Sequence, residues 1–123
     1  TYTSGILAGG VYMIRVRWEL EETVALMDLY FRCGATLSVP NDELLKLSQI
    51  YRNRANILGL DVDDKFRNLS GMKMQLGCIH YVVTNGKEGL SGASKLFYQT
   101  YDLYKNNPEN FQKICNHFYD KYR

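Results

Sequence analysis

Glu19-Leu-Glu-Glu-Thr-Val-Ala-Leu-Met-Asp-Leu-Tyr-Phe-Arg-Cys33 is the stretch on which the fold turns. Leu20, Val24, Met27 and Phe31 recur at spacings of four, three and four, which draws one apolar stripe down a helix. Glu19, Glu21 and Glu22 crowd the first turn, where carboxylates oppose the positive end of the helix dipole. Gly34 follows at the position where a left-handed residue ends a helix. The segment is therefore read as an amphipathic helix that must bury one side against partners.

Downstream, the same periodicity supplies those partners. Asn41 is the expected N-cap of a second helix, with Asp42 and Glu43 in its first turn and Leu44, Leu47, Tyr51, Ala55 and Leu58 inward. Gly59 closes it, and residues 61–68 are charged and irregular. Ser70 is the expected cap of a third helix from Gly71 to about Val83, buried through Met72, Leu76, Ile79 and Val83. Thr84-Asn-Gly-Lys87 reads as a turn, although Val82 and Val83 would also suit a short strand. A fourth helix starts at Ser91 or Gly92, with Leu96, Phe97, Tyr101 and Tyr104 inward. Asn107-Pro108 reads as cap and first residue of a fifth, whose apolar face is Phe111, Ile114, Cys115, Phe118 and Tyr122. The expected fold is all-α, a compact bundle of about five helices. Residues 18–123 form the single domain, and residues 1–17 form an N-terminal arm, extended over Tyr12–Arg17. Met13 reads either as a native start preceded by vector residues or as an internal methionine.

Composition agrees with this and narrows the function. A chain of 123 residues is one domain by size and buries roughly 65–70% of its unfolded surface without a metal or disulfide staple. Hydrophobic content of 46% with 23% charged residues is that of an ordinary globular protein. No apolar stretch approaches the roughly 20 residues that span a bilayer, so no membrane partner is expected. Cys33, Cys78 and Cys115 are odd in number and far apart, as suits reduced thiols in a cytoplasmic protein. The net charge of +2 comes from 15 basic and 13 acidic residues. From Gly71 onward seven basic residues face four acidic ones, so that half carries +3 and the rest −1.

Catalytic constellations are scarce. Asp42-Glu-Leu-Leu-Lys46 has the residue types of a restriction nuclease's acidic-lysine core but sits at a helix start, where acids have a structural reason to be. Asp61, Asp63 and Asp64 are the one dense carboxylate group. They lack the glycine and the terminal glutamate of a calcium loop, and Lys65 and Arg67 stand ready to neutralise them. Cys78-Ile-His80 and Cys115-Asn-His117 offer zinc-loving donors, but residues two apart on a helix point about 200° from each other. No cofactor, metal or catalytic residue is expected. The ten tyrosines and five phenylalanines are the richer signal. Tyr98, Tyr101, Tyr104, Tyr119 and Tyr122 alternate with Lys95, Lys105, Lys113 and Lys121. Such a mixture serves core packing, stacking and phosphate contact, or a tyrosine-rich protein–protein surface.

Four motifs bear a likeness in order: Trp18-Glu-Leu-Glu-Glu22, Ala25-Leu-Met-Asp-Leu-Tyr-Phe-Arg32, Phe66-Arg-Asn-Leu-Ser-Gly-Met-Lys-Met-Gln-Leu76 and Gly89-Leu-Ser-Gly-Ala-Ser-Lys95. Together they resemble the N-terminal helical domain of bacterial HNH-type restriction endonucleases, over about two-thirds of the chain. The resemblance implies a helix-turn-helix-like module that presents target DNA to a separate nuclease domain. No histidine-asparagine-histidine motif and no zinc-binding cysteine pairs follow Lys95, so nuclease activity is not expected of these residues. With a helix-turn-helix made by the second and third helices, Lys73, Gln75, Gly77 and His80 would be the more exposed side of the reading helix. Arg67, Asn68 and Ser70 at its N-terminus would suit a phosphate, extended by Arg52, Arg54 and Lys95. The expected role is thus a non-catalytic DNA-binding domain of a restriction or defence system. The alternative is a homodimerisation or interaction module using the tyrosine-rich last two helices.

Overall fold

The computed structural model describes the backbone of residues 2–6 and 12–123 and the side chains from residue 16 onward. Five helices form the bundle: α1 (Leu20–Arg32), α2 (Asn41–Ile57), α3 (Leu69–Val83), α4 (Lys95–Asn106) and α5 (Pro108–Tyr122). An antiparallel hairpin, β1 (Tyr2–Ile6) and β2 (Tyr12–Val16), precedes them with Tyr2 opposite Val16 and Ile6 opposite Tyr12. The extended arm read at Tyr12–Arg17 is therefore the second strand of a pair. Its partner strand carries no signal in the sequence reading, and the remaining arm residues 1 and 7–11 lie outside the described residues.

Helix α1 is the axis of the bundle and touches α3, α4 and α5. Eight of its residues are buried, from Glu22 to Met27 and then Leu29 and Tyr30, so its covered surface is far wider than one stripe. Glu22 reaches back to accept a hydrogen bond from the Glu19 amide at 3.1 Å, closing the first turn in the manner of a capping box. Leu20, at the outer end of the expected stripe, stays exposed. Helix α2 packs on α3 and α5 and buries Leu44, Leu47, Tyr51 and Ala55 as expected, while Leu58 is out in solvent. Its N-cap is Pro40 rather than Asn41.

Helix α3 begins earlier than Ser70 because Asn68 takes the capping role. The Asn68 side chain accepts from the Gly71 amide at 2.8 Å, and Ser70 lies within the first turn. Val82 and Val83 remain helical. The connection from α2 runs over residues 58–68, eleven residues. A helix-turn-helix joins its helices by three or four, so α2 and α3 are two bundle helices joined by a long loop, not such a unit. Helix α4 starts at Lys95 with Ser94 as N-cap, later than Ser91 or Gly92, because Gly89 and Leu90 lie back on α3 and the chain must first leave it. Helix α5 is as read, with Asn107 capping through the Asn110 amide at 3.2 Å and Pro108 at the first position.

Aromatic rings fill the space between α1, α4 and α5. Phe31 stacks on Tyr104 with centroids 4.0 Å apart and planes within 8°. Tyr101 extends that stack, and Phe111 meets Tyr104 edge-on. Phe118 holds a second group with Tyr51, Tyr119 and Tyr122. Such pairs contribute about 0.5–1.5 kcal/mol each beyond the area they bury. Four of the five tyrosines of the last two helices are thus partly or wholly inside, and Tyr98 alone among them is exposed. Among the described residues, no helix is long and apolar enough to cross a membrane.

Candidate nucleic-acid interface

Among the described residues Arg67 is the best-connected side chain, and the connections it makes there are internal. Its guanidinium donates to Glu22 in a two-pronged pair, Nε to Oε2 at 2.8 Å and Nη2 to Oε1 at 3.1 Å. It also donates to the carbonyls of Val16 and Arg17 at 3.3 and 3.1 Å. The Trp18 ring lies 4.3 Å from the guanidinium and the Phe66 ring 4.4 Å, so the cation sits between two aromatic faces. The Arg67 carbonyl accepts from the Ser48 hydroxyl at 2.6 Å. A residue expected to meet phosphate is instead the tie between the hairpin's end, α1 and α2.

Three further expected contacts are corrected in the same sense. Arg54 is buried, pairing with Glu19 at 3.2 Å, Glu21 at 3.5 Å and Glu22 at 3.6 Å. Burial works against its charge, but Glu22, Glu19 and Glu21 outweigh that and hold its pKa above the ordinary arginine value. Arg52 donates to the carbonyls of Asp63, Asp64 and Phe66 at 3.2, 2.8 and 2.8 Å, pinning the loop before α3. Asn68 is occupied by its cap. The physical reason is that buried polar groups need partners: the arginines supply donors to the loop carbonyls and the carboxylates, and Asn68 supplies the acceptor for the Gly71 amide at the start of α3.

His80 is buried, not exposed. Its Nδ1 lies 2.7 Å from the Tyr30 hydroxyl and its Nε2 2.8 Å from Glu88 Oε1. A carboxylate only accepts, so Nε2 carries a hydrogen, and in the neutral ring Nδ1 accepts the hydroxyl hydrogen of Tyr30. Burial, then Tyr101 and Glu88, raise the Tyr30 pKa and keep that hydroxyl protonated. Glu88 also receives support from Thr84, whose hydroxyl accepts from the Glu88 amide at 3.1 Å. This relay fastens the loop after α3 to the helix it leaves. Just beyond, the Leu90 amide donates to the Gly77 carbonyl at 3.0 Å. A β-carbon on Gly77 would fall 2.8 Å from a Leu90 methyl. Gly77 is accordingly buried beneath Leu90 and is not a surface position.

Ser70, Lys73, Gln75 and Lys95 keep the exposure expected of contacts: Ser70, Lys73 and Lys95 are exposed and Gln75 is half-buried. Two shallow grooves run beside them and share Leu90. One, of about 530 Å³, is lined by Lys73, Leu76, Gly77 and Leu90 among others. The second, of about 750 Å³, lies between α3 and the start of α4, with Gln75, Leu90, Lys95 and Arg17 in its lining. No carboxylate lines either groove. Among the described residues, Arg17, Lys73 and Lys95 have no ion-pair partner. Arg17 is absent from the contacts expected of the sequence. Its only signal there is its place beside Trp18.

The other candidates have local explanations. Asp63 accepts from the Lys65 amide at 3.0 Å, shaping its own turn. Glu43 pairs with Lys46 at 3.5 Å on the surface. Among the described residues, no group of three or more His, Cys, Asp and Glu side chains gathers. Cys78 and Cys115 are buried and Cys33 half-buried, all as free thiols. Burial, with Asp28 beside it, pushes the Cys115 thiol from an ordinary 9.0 up to about 12. Because the thiolate is the reactive form, Cys33 is expected to be alkylated first at pH 8, with Cys115 untouched until denaturant is added. Site-resolved mass spectrometry checks the order. The same raised pKa has a thermodynamic side. The folded chain keeps the Cys115 proton that the unfolded chain gives up, so this contribution is intact below about pH 9 and is lost as pH climbs to about 12.

No protein-family model, no curated protein and no solved structure matches the chain.

Proposed function

We propose that this domain is a non-catalytic DNA-recognition module whose contact face is the pair of grooves that meet at Leu90, neither of them lined by a carboxylate. Arg17, Lys73 and Lys95 neutralise phosphates, and Gln75 on α3 is the side chain suited to a base edge. The observation that carries the reading is the company these residues keep. Arg17 and Lys95 line one groove and Lys73 its neighbour, the two grooves meet at Leu90, and no carboxylate lines either. Other cations, among them Lys65, Lys87, Lys113 and Lys121, also lack an ion-pair partner among the described residues but line neither groove. The likeness to the N-terminal domain of HNH-type restriction endonucleases supplies the setting: a cytoplasmic defence system in which a separate nuclease acts on the DNA held by this domain. The tyrosine-rich homodimer has less support, since most of those rings are taken up by the core.

Titration of a labelled duplex at 50 and 200 mM salt tests this. Three phosphate contacts give a slope of log affinity against log salt of about −2.7, or roughly a forty-fold loss across that range. The double variant K73A/K95A is expected to weaken binding and flatten the slope by about 2, while K113A on α5 leaves both unchanged. Absence of binding tighter than about 100 µM at the lower salt would reject the proposal.

A further inference from the structure

The larger groove has a character that phosphate contact alone does not call for. Besides its cations it is lined by Trp18, Met74, Cys78, Leu90 and Phe97. Met74 and Leu90 are left 54% and 49% exposed, two large apolar side chains kept in water beside Lys95 and Arg17. Among the described residues the Gln75 side-chain amide has no hydrogen-bond partner, although it is half-buried in the same lining. The volume of about 750 Å³ falls in the range of ligand pockets, roughly 300–1,000 Å³. An apolar wall, one amide offering both a donor and an acceptor, and two unpaired cations form an unusual set. It matches a single chemical object with a flat apolar face, a hydrogen-bonding edge and anions close by.

We propose, building on the DNA-binding reading above, that this groove accepts one unpaired nucleobase of the bound DNA. The base lies against Met74 and Leu90, where its face replaces water on apolar surface. Gln75 meets the polar edge, as an amide can pair with the two groups that adenine shows there. Arg17 and Lys95 hold the flanking phosphates. Unstacking costs least for a base that is already unpaired, so the preferred ligand is a duplex with a bulge, not a perfect duplex.

Trp18 is the one tryptophan of the chain and lines the groove, which makes its emission a local reporter. The experiment compares a fully paired duplex with the same duplex carrying one bulged adenine, at a single salt concentration. Anisotropy of an end label and Trp18 fluorescence are followed together. The bulged duplex is expected to bind about ten-fold more tightly, the gain from removing roughly 55 Å² of apolar surface from water, and to change the Trp18 emission. Met74→Ala is expected to remove that preference without altering affinity for the paired duplex, and Met74→Leu to retain it. Equal affinity for the two duplexes with unmoved Trp18 emission overturns the base pocket and leaves the DNA-binding reading standing. A preference that survives Met74→Ala also overturns it, because the base must then lie elsewhere. Failure to bind either duplex overturns both readings.

Discussion

Glu22→Ala is expected to lower the unfolding free energy by about 3–5 kcal/mol, a large share of the roughly 5–15 kcal/mol that such a domain possesses. Glu22 is fully buried and answers two guanidinium groups, Arg67 at 2.8 Å and Arg54 at 3.6 Å. Removing it leaves the buried Arg67 with no carboxylate and takes from Arg54 one of its three, Glu19 and Glu21 remaining, so the penalty is chiefly that of one buried, uncompensated cation. Arg67→Ala leaves Glu22 only its longer pair with Arg54 at 3.6 Å, and it also empties the space between Trp18 and Phe66 and releases the carbonyls of Val16 and Arg17. Urea denaturation of the two single variants and the double variant checks this. The double variant is expected to lose clearly less than the sum of the singles, since each removal relieves the other's stranded charge. A loss below about 1 kcal/mol for Glu22→Ala would show that water reaches the cluster.

Gly89→Ala is the second large effect. Gly89 has φ +93°, and a β-carbon there would lie 2.5 Å from the Gly77 carbonyl oxygen and 2.7 Å from the Tyr81 amide nitrogen. Both obstacles are backbone of α3 and cannot swing aside. Left-handed strain of about 1–3 kcal/mol adds to overpacking of about 1–3 kcal/mol, so a loss of roughly 3 kcal/mol or more is expected. Gly92→Ala separates the two causes. Gly92 has φ +92° with nothing within 4 Å of an added β-carbon, and its loss is expected to reflect the strain alone. Equal losses at the two positions, measured by the same denaturation, would mean that the loop does not lie on α3 as described.

Much of the fold is legible in the sequence because it rests on local rules. Asn107-Pro108 caps and opens α5 as written, and the inward residues of α2, α3 and α5 follow helical spacing. The failures share a cause. Arg67 and Glu22 stand 45 residues apart in sequence, and His80 and Tyr30 stand 50 apart. Nothing within a helical turn signals that a charged side chain has a distant buried partner. Trp18-Glu and Phe66-Arg67, aromatic beside charged, are the available hint, and in the sequence they suggest family likeness and phosphate contact. Their chemistry is that of a cation enclosed by rings, so these two motifs report packing. Gly89-Leu90 is similar: its glycine is explained by α3 passing beneath it. The exposure of Ser70, Lys73 and Lys95 is legible because exposure of a polar residue on an amphipathic helix needs no partner to be known, whereas Gln75 is half-buried.

Arg54 also joins the two extremities of the bundle. Its guanidinium reaches Glu19, just before α1, and lies 5.8 Å from the Tyr122 ring near the end of α5. Asn53 next to it donates to the Tyr122 carbonyl at 2.9 Å. Helix α1 therefore begins, and α5 finishes, at one pole. Loosening of the last turn of α5 would therefore be felt at once by the first turn of α1, so the two ends are expected to open together in hydrogen exchange rather than fray one by one.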